Sequence, residues 1–128
     1  MSRTLRAQHD SFPLSHPFRI SRGVKTQAEV ITVELEQGGV IGRGEGVPYA
    51  RYGESIESAL AAIDTVRGAI EGGADRTQLL DLLGPGAARN AVDCALWDLE
   101  ARLGGRSVAD KIGTPEPGRL VSALTIGI

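Results

Sequence analysis

Apolar and polar residues alternate along the amino-terminal part of the chain, and the pattern then switches to helical spacing. From Thr4 to Asp10, Leu5 and Ala7 alternate with Arg6, Gln8 and Asp10, as in a half-buried strand. The clearest strand is Ala28 to Glu36, with Ile31, Val33 and Leu35 on one face and Thr32, Glu34 and Glu36 on the other. Gln37-Gly38-Gly39 is a hairpin signal, and Val40 to Gly46 is the returning strand. Between the first two strands, PLSHPF (Pro13 to Phe18) places two prolines in six residues. That predicts a broken ladder and the start of a loop.

Helical periodicity begins after Ser55, a suitable N-cap, with Ile56, Ala59, Leu60, Ile63, Val66 and Ile70 on one side and Gly72-Gly73 as the stop. Asp75 and Gln78 form a capping-box pattern before a short helix that ends at Gly84-Pro85-Gly86. Ala87 to Leu103 is the strongest helix, with a stripe of Ala88, Val92, Ala95, Leu96, Leu99 and Leu103. Ser107 starts one more turn, expected to point Val108 and Ile112 inward. Strands first and helices afterwards predict an α+β domain: a three-stranded antiparallel meander with a helical bundle on one sheet face.

The pattern changes again at Thr114 to Gly118, a Pro/Gly linker, which sets the expected domain at residues 1–118. Residues 119–128, RLVSALTIGI, form a near-continuous apolar run of the kind found in parallel barrel strands buried on both sides.

Composition narrows the function classes. The 128 residues carry a formal net charge of −2, so no basic field favours nucleic acid or an anionic membrane surface. Aromatic residues are only 4%, too few for base-stacking platforms. No apolar run is long enough for a membrane span, and no charged-then-apolar leader is present. The single cysteine, Cys94, excludes an internal disulfide and suits a reducing, cytoplasmic setting.

Several tempting motifs reduce to structural roles. GRGEG (Gly42 to Gly46) fails as a dinucleotide fingerprint because Val47 stands where the last glycine belongs. Its glycines read better as a closely packed strand. His9 and His16 lack the further ligands a metal site needs and read as solvated or hydrogen-bonded. Cys94 reads as a small buried packing residue, and Trp97 as a packing residue beneath the sheet or against a partner domain.

Two loops hold candidate chemistry. Phe18 to Thr26 offers Arg19, Arg22 and Lys25, framed by Phe18 and Ile20. On charge pattern alone this is a solvated basic turn; a cationic lid for a carboxylate is the functional alternative. The second loop, VPYARYGES, pairs Tyr49 and Tyr52 with Arg51 and Glu54, a set suited to closing over a polar ligand.

Three stretches carry a family resemblance: PLSHPFRISRG, VELEQGGVIGRGEGVPYARYGES and GAARNAVDCALWDLEARLGGRSVADKIG. Together they resemble the amino-terminal cap domain of the dipeptide epimerases, in the muconate-lactonizing group of the enolase superfamily. The resemblance implies an isomerase that moves a proton at a dipeptide α-carbon. It also implies a barrel holding Mg²⁺ on three carboxylates, with two lysines as acid and base. By the same resemblance, Lys25 receives the acidic side chain of the dipeptide, and Arg22, Phe18, Ile20, Tyr49, Arg51 and Tyr52 line the lid. Thr125, on the first barrel strand, lies near the bound dipeptide.

This chain departs from the family in one respect. It has only two lysines, Lys25 and Lys111, and no Lys-x-Lys strand. No catalytic residue and no metal ligand are therefore expected within it, the Mg²⁺ belonging to a barrel outside it, and alone it should be inert. The expected partner is a small-molecule dipeptide, with neither nucleic acid nor membrane, and a homo-oligomer is compatible with the fold. The cap of a cycloisomerase or o-succinylbenzoate synthase, or a stand-alone binding module, are the alternative readings; the PY-RYGES element argues against the former.

Overall fold

The computed structural model describes residues 2–126. Three antiparallel strands, β1 (Arg3–Ile20), β2 (Gly23–Gln37) and β3 (Val40–Gly46), form a sheet in the order β1-β2-β3. Four helices follow: α1 (Ile56–Glu71), α2 (Arg76–Leu82), α3 (Ala87–Leu103) and α4 (Val108–Ile112). This is the expected α+β meander with helices on one face.

The register explains where each helix sits. Leu5 pairs with Leu35 and Leu35 with Gly42; Ala7 pairs with Val33 and Val33 with Gly44. Side chains on the core face therefore give way to glycine at β3, and α3 settles where the glycines leave room. A Cβ on Gly42 would lie 2.5 Å from the Ala95 carbonyl oxygen, and one on Gly46 2.4 Å from that of Ala87. The helix contributes Ala87, Ala91 and Ala95 at four-residue spacing, so small side chains face glycine along the whole contact. Ile31, Val33, Leu35, Ile63, Ile70, Leu79, Leu96 and Leu99 complete the core.

Helix side chains cap both sheet edges. On β1, Glu71 accepts from the Leu5 amide at 3.0 Å, while Arg67 donates to the Leu5 carbonyl. On β3, Asp98 accepts from the Arg43 amide at 2.8 Å and Asn90 donates to the Glu45 carbonyl at 3.1 Å. These contacts occupy groups that would otherwise invite another strand.

Four expectations need correction. PLSHPF does not end the ladder. β1 continues to Ile20, and the prolines fall at an irregularity between the Pro13–Gln27 and Phe18–Lys25 pairs. An edge strand tolerates them there because one side of its backbone needs no ladder partner. The stripe of α3 is rotated: Ala87, Ala91 and Ala101 are buried, whereas Leu103 is exposed, because the close approach to β3 turns the small residues inward. Cys94 is exposed for the same reason, its thiol held above the usual range by partial burial and by Asp93. Val108 and Ile112 are exposed, since no layer of this domain covers α4.

The capping assignments match. Ser55 accepts from the Ser58 amide and Asp75 from that of Gln78, each in a reciprocal capping box. Trp97 packs beneath Arg76, whose guanidinium lies 3.5 Å from the ring centroid. His9 hydrogen-bonds Glu29, whose carboxylate also accepts from Ser11 and Gln27. Residues 114–126 form neither helix nor strand, and Leu120, Val121, Leu124 and Ile126 are exposed. The last two residues of the expected barrel strand lie outside the described residues.

Candidate functional site

The site begins as a hairpin. Because β1 and β2 continue beyond the helix layer, the stretch expected as a loop, Phe18 to Thr26, is instead the end of a two-stranded ribbon. Phe18 pairs with Lys25, Arg19 with Val24 and Ile20 with Gly23. Arg22 sits in the turn, next to Gly23, whose φ of 142° suits glycine alone. The pairing puts Lys25 at a fixed height on the ribbon.

The facing wall is the segment after β3. Ala50–Tyr52 forms a single 3-10 turn that Gly53 ends with a φ of 76°. The Tyr49 carbonyl accepts from the Tyr52 amide at 2.9 Å, and the Tyr49 amide donates to Glu54 Oε2 at 3.1 Å. Glu54 uses its other oxygen to accept from the Ala87 amide at 2.7 Å, at the start of α3. An acidic side chain there also suits the positive end of the helix. Glu54 therefore fastens this wall to the domain body and turns away from any ligand, contrary to the role its place in the loop suggested.

The two walls meet through Lys25 and Tyr49. Lys25 Nζ lies 5.4 Å from the Tyr49 ring centroid, within cation–π range, and the Tyr52 ring lies 5.8 Å from that of Tyr49. Between them is an open cleft of about 430 Å³ lined by Ile20, Arg22, Lys25, Tyr49 and Arg51, together with Pro48. An adjoining hollow of about 500 Å³ is bordered by Leu14, Phe18, Lys25 and Val47. Its floor includes Val30, which is only 3% exposed although it lies on the otherwise polar sheet face. Phe18 also borders a third hollow with Arg19, Leu124 and Thr125.

Five of the eight expected substrate residues thus share one cleft: Ile20, Arg22, Lys25, Tyr49 and Arg51. Tyr52 lies beside Tyr49 with its ring tilted by 40°, and Phe18 borders both the adjoining hollow and the one that holds Thr125. Pro48 and Val30 had received no role, yet Pro48 borders both of the first two spaces. An apolar Val30 where Thr32 and Glu34 continue the same face was the available signal. Among the described residues, no three His, Cys, Asp or Glu side chains converge on a possible metal position.

Residues 2–113 match the family described as Mandelate racemase / muconate lactonizing enzyme, N-terminal domain. The chain belongs to this family. It is 47% identical over 126 residues to the L-Ala-D/L-Glu epimerase of Escherichia coli K12, covering 98% of this chain and 39% of that protein. Among solved structures it resembles an Agrobacterium tumefaciens enolase family member with homology to dipeptide epimerases, described with bound sodium and L-Ala-L-Glu. The TM-score is 0.84 at 46% identity, over 88% of this chain and 35% of the other. The dipeptide epimerase of Methylococcus capsulatus, solved with Mg and L-Arg-D-Lys, matches at TM-score 0.74 and 30% identity, over 88% of this chain and 35% of that one. The fold is accordingly the enolase-superfamily cap domain. The chain spans less than half the length of these relatives.

Proposed function

We propose that this domain is the substrate-reading cap of a dipeptide epimerase acting by 1,1-proton transfer, with Lys25 receiving an acidic side chain. The observation that carries this reading is Lys25 held over Tyr49 at the meeting of two facing walls. An ammonium held by pairing on one side and an aromatic face on the other has lost much of its freedom before a ligand arrives, which lowers the entropic cost of binding. Ile20 and Val24 flank it with apolar surface, and water excluded by closure strengthens its attraction for a carboxylate.

Similarity to epimerases acting on L-Ala-D/L-Glu supports the acidic dipeptide as substrate. The described residues do not fit a Mg²⁺ ion, and no proton-transfer step is assigned to them. In this reading, metal and bases come from the rest of a longer enzyme, and the cap selects and encloses the substrate. Thr125 and Phe18 would face the dipeptide from the border between cap and barrel, residues 119–128 supplying the first barrel strand.

The test is exchange of the α-proton in deuterated water by a complete enzyme carrying this cap. Lys25→Ala should lower kcat/KM for Ala-Glu by roughly ten- to a hundred-fold, the loss of one charge-assisted contact. Turnover of an apolar dipeptide should change far less. Equal losses on both would overturn the assignment.

A further inference from the structure

The ribbon that carries Lys25 leaves the three-stranded body at one level. Gly46, the last residue of β3, pairs with Ile31, which pairs with His9 on β1. Beyond that level two strands continue without a third, and a two-stranded ribbon alone in water is marginal. Its cross-strand side chains therefore decide how firmly it stands. Two carboxylates gather them here. On the helix side of the sheet, Glu29 accepts from His9 and Gln27 and, at 2.5 Å, from Ser11. On the opposite side, Asp10 accepts from Thr32 at 2.6 Å and from Gln8 at 3.0 Å. Asp10 pairs with Val30 and Ser11 with Glu29, so the two clusters occupy neighbouring rungs. Each joins β1 to β2, and together they hold both faces of the ribbon's base. The hydrogen bonds, Thr32 foremost for Asp10 and Ser11 for Glu29, lower both carboxyl pKa values, so both acceptors stay charged at neutral pH. The ladder breaks just above. Pro13 pairs with Gln27 and Phe18 with Lys25, so Leu14 to Pro17 stand opposite Thr26 alone. A strand bends where such extra residues interrupt its pairing.

We propose that Glu29 and Asp10 are positioning residues, a two-sided collar that makes the ribbon's base part of the body and confines bending to the irregularity between Pro13 and Phe18. Lever length gives the collar its effect. Lys25 lies about 20 Å along β2 from Ile31 but only about 3 Å from Thr26, at the usual rise per residue of a strand. The same bend made at Ile31 would carry Lys25 several times further from Tyr49 than one made at Thr26. With the collar closed, the ammonium stays over the ring on a short arm. The effect on turnover rests on the cap reading above; the place of the bend does not.

Amide hydrogen exchange of the full 128-residue chain locates the bend. Ladder amides from Gln27 to Ile31 should be protected almost as well as those of Val33 and Leu35, with protection falling beyond Gln27. Asp10→Ala combined with Glu29→Ala should move that boundary back to Ile31, speeding exchange between the two by about ten-fold. Val33 and Leu35 should keep their protection, which shows that the body remains folded. Glu34→Ala, which removes the exposed pair with Arg43 inside the three-stranded body, should leave the boundary in place. In a complete enzyme carrying this cap, Glu29→Ala should lower kcat/KM for Ala-Glu and for an apolar dipeptide by the same factor, about five-fold. Glu29→Gln keeps one acceptor oxygen and should recover part of that loss. A boundary at Ile31 in the unmodified chain, or one unmoved in the double variant, overturns the collar. A moved boundary with unchanged turnover overturns the positioning role. The cap reading fails separately: an unmodified complete enzyme that exchanges no dipeptide α-proton sinks it, whereas the exchange boundary would still establish the collar.

Discussion

Gly44 lies so close to α3 that a Cβ on it would sit 2.0 Å from the carbonyl oxygen of Ala91. Backbone meets backbone here, so no side-chain rotation can relieve the clash. Gly44→Ala should therefore force helix and sheet apart and destabilise the domain by about 3 kcal/mol or more, the upper part of the overpacking range. Chemical denaturation measures it. A change below about 0.5 kcal/mol would mean the contact is looser than described.

Gly68 makes the opposite case. It lies within α1 on an exposed position with nothing near its missing side chain. Alanine there removes unfolded-chain freedom without a clash, so Gly68→Ala should stabilise by about 0.5–1 kcal/mol. The pair of variants separates packing glycines from incidental ones in a single experiment.

Glu54→Ala removes both hydrogen bonds that join the Tyr49 amide to the start of α3. The expected cost is about 1–2 kcal/mol, comparable to loss of a helix cap. Glu54→Gln keeps one acceptor oxygen and should recover part of it. Tyr49 loses its fixed place under Lys25 in the alanine variant, which near-ultraviolet circular dichroism would register as a weaker tyrosine signal. Unchanged stability and spectrum would show that the wall holds without its tether.

Acid should weaken the sheet through Asp10 and Glu29. Asp10 accepts from Thr32 and Gln8, and these hydrogen bonds lower its pKa; Ser11 and His9 do the same for Glu29. A carboxyl with a depressed folded pKa adds stability that is complete above its unfolded value of about 4 and is lost as pH falls through the folded value. Urea midpoints should therefore decline below about pH 4, and Asp10→Asn should shrink that decline. An identical decline in the variant would assign the acid sensitivity elsewhere.

Residues 119–126 present Leu120, Val121, Leu124 and Ile126 to solvent, each at least 80% exposed. Ending the chain at Gly118 removes this apolar run without touching the core, so aggregation on concentration should fall. Light scattering of the two proteins at matched concentration decides it.

Local signals recovered most of the fold. The alternation around Ile31, Val33 and Leu35, the Gly38-Gly39 turn and the caps at Ser55, Asp75 and Ser107 act over a few residues, and each appears where its local pattern placed it. Lys25, Arg22 and Arg51 could be singled out as charges in loops, while the motifs they belong to supplied their suggested use. What no local pattern could supply was distance between segments. Whether Pro13 and Pro17 end a strand depends on which side of the sheet β1 occupies. Whether Cys94 is buried depends on how far glycines in β3 let α3 approach, a contact between residues 44 and 91. Glu54 reads as a ligand contact until α3 arrives to offer the Ala87 amide. Periodicity records which way a side chain faces along its own element, whereas burial, tethering and the meeting of Lys25 with Tyr49 depend on the other elements packed against it.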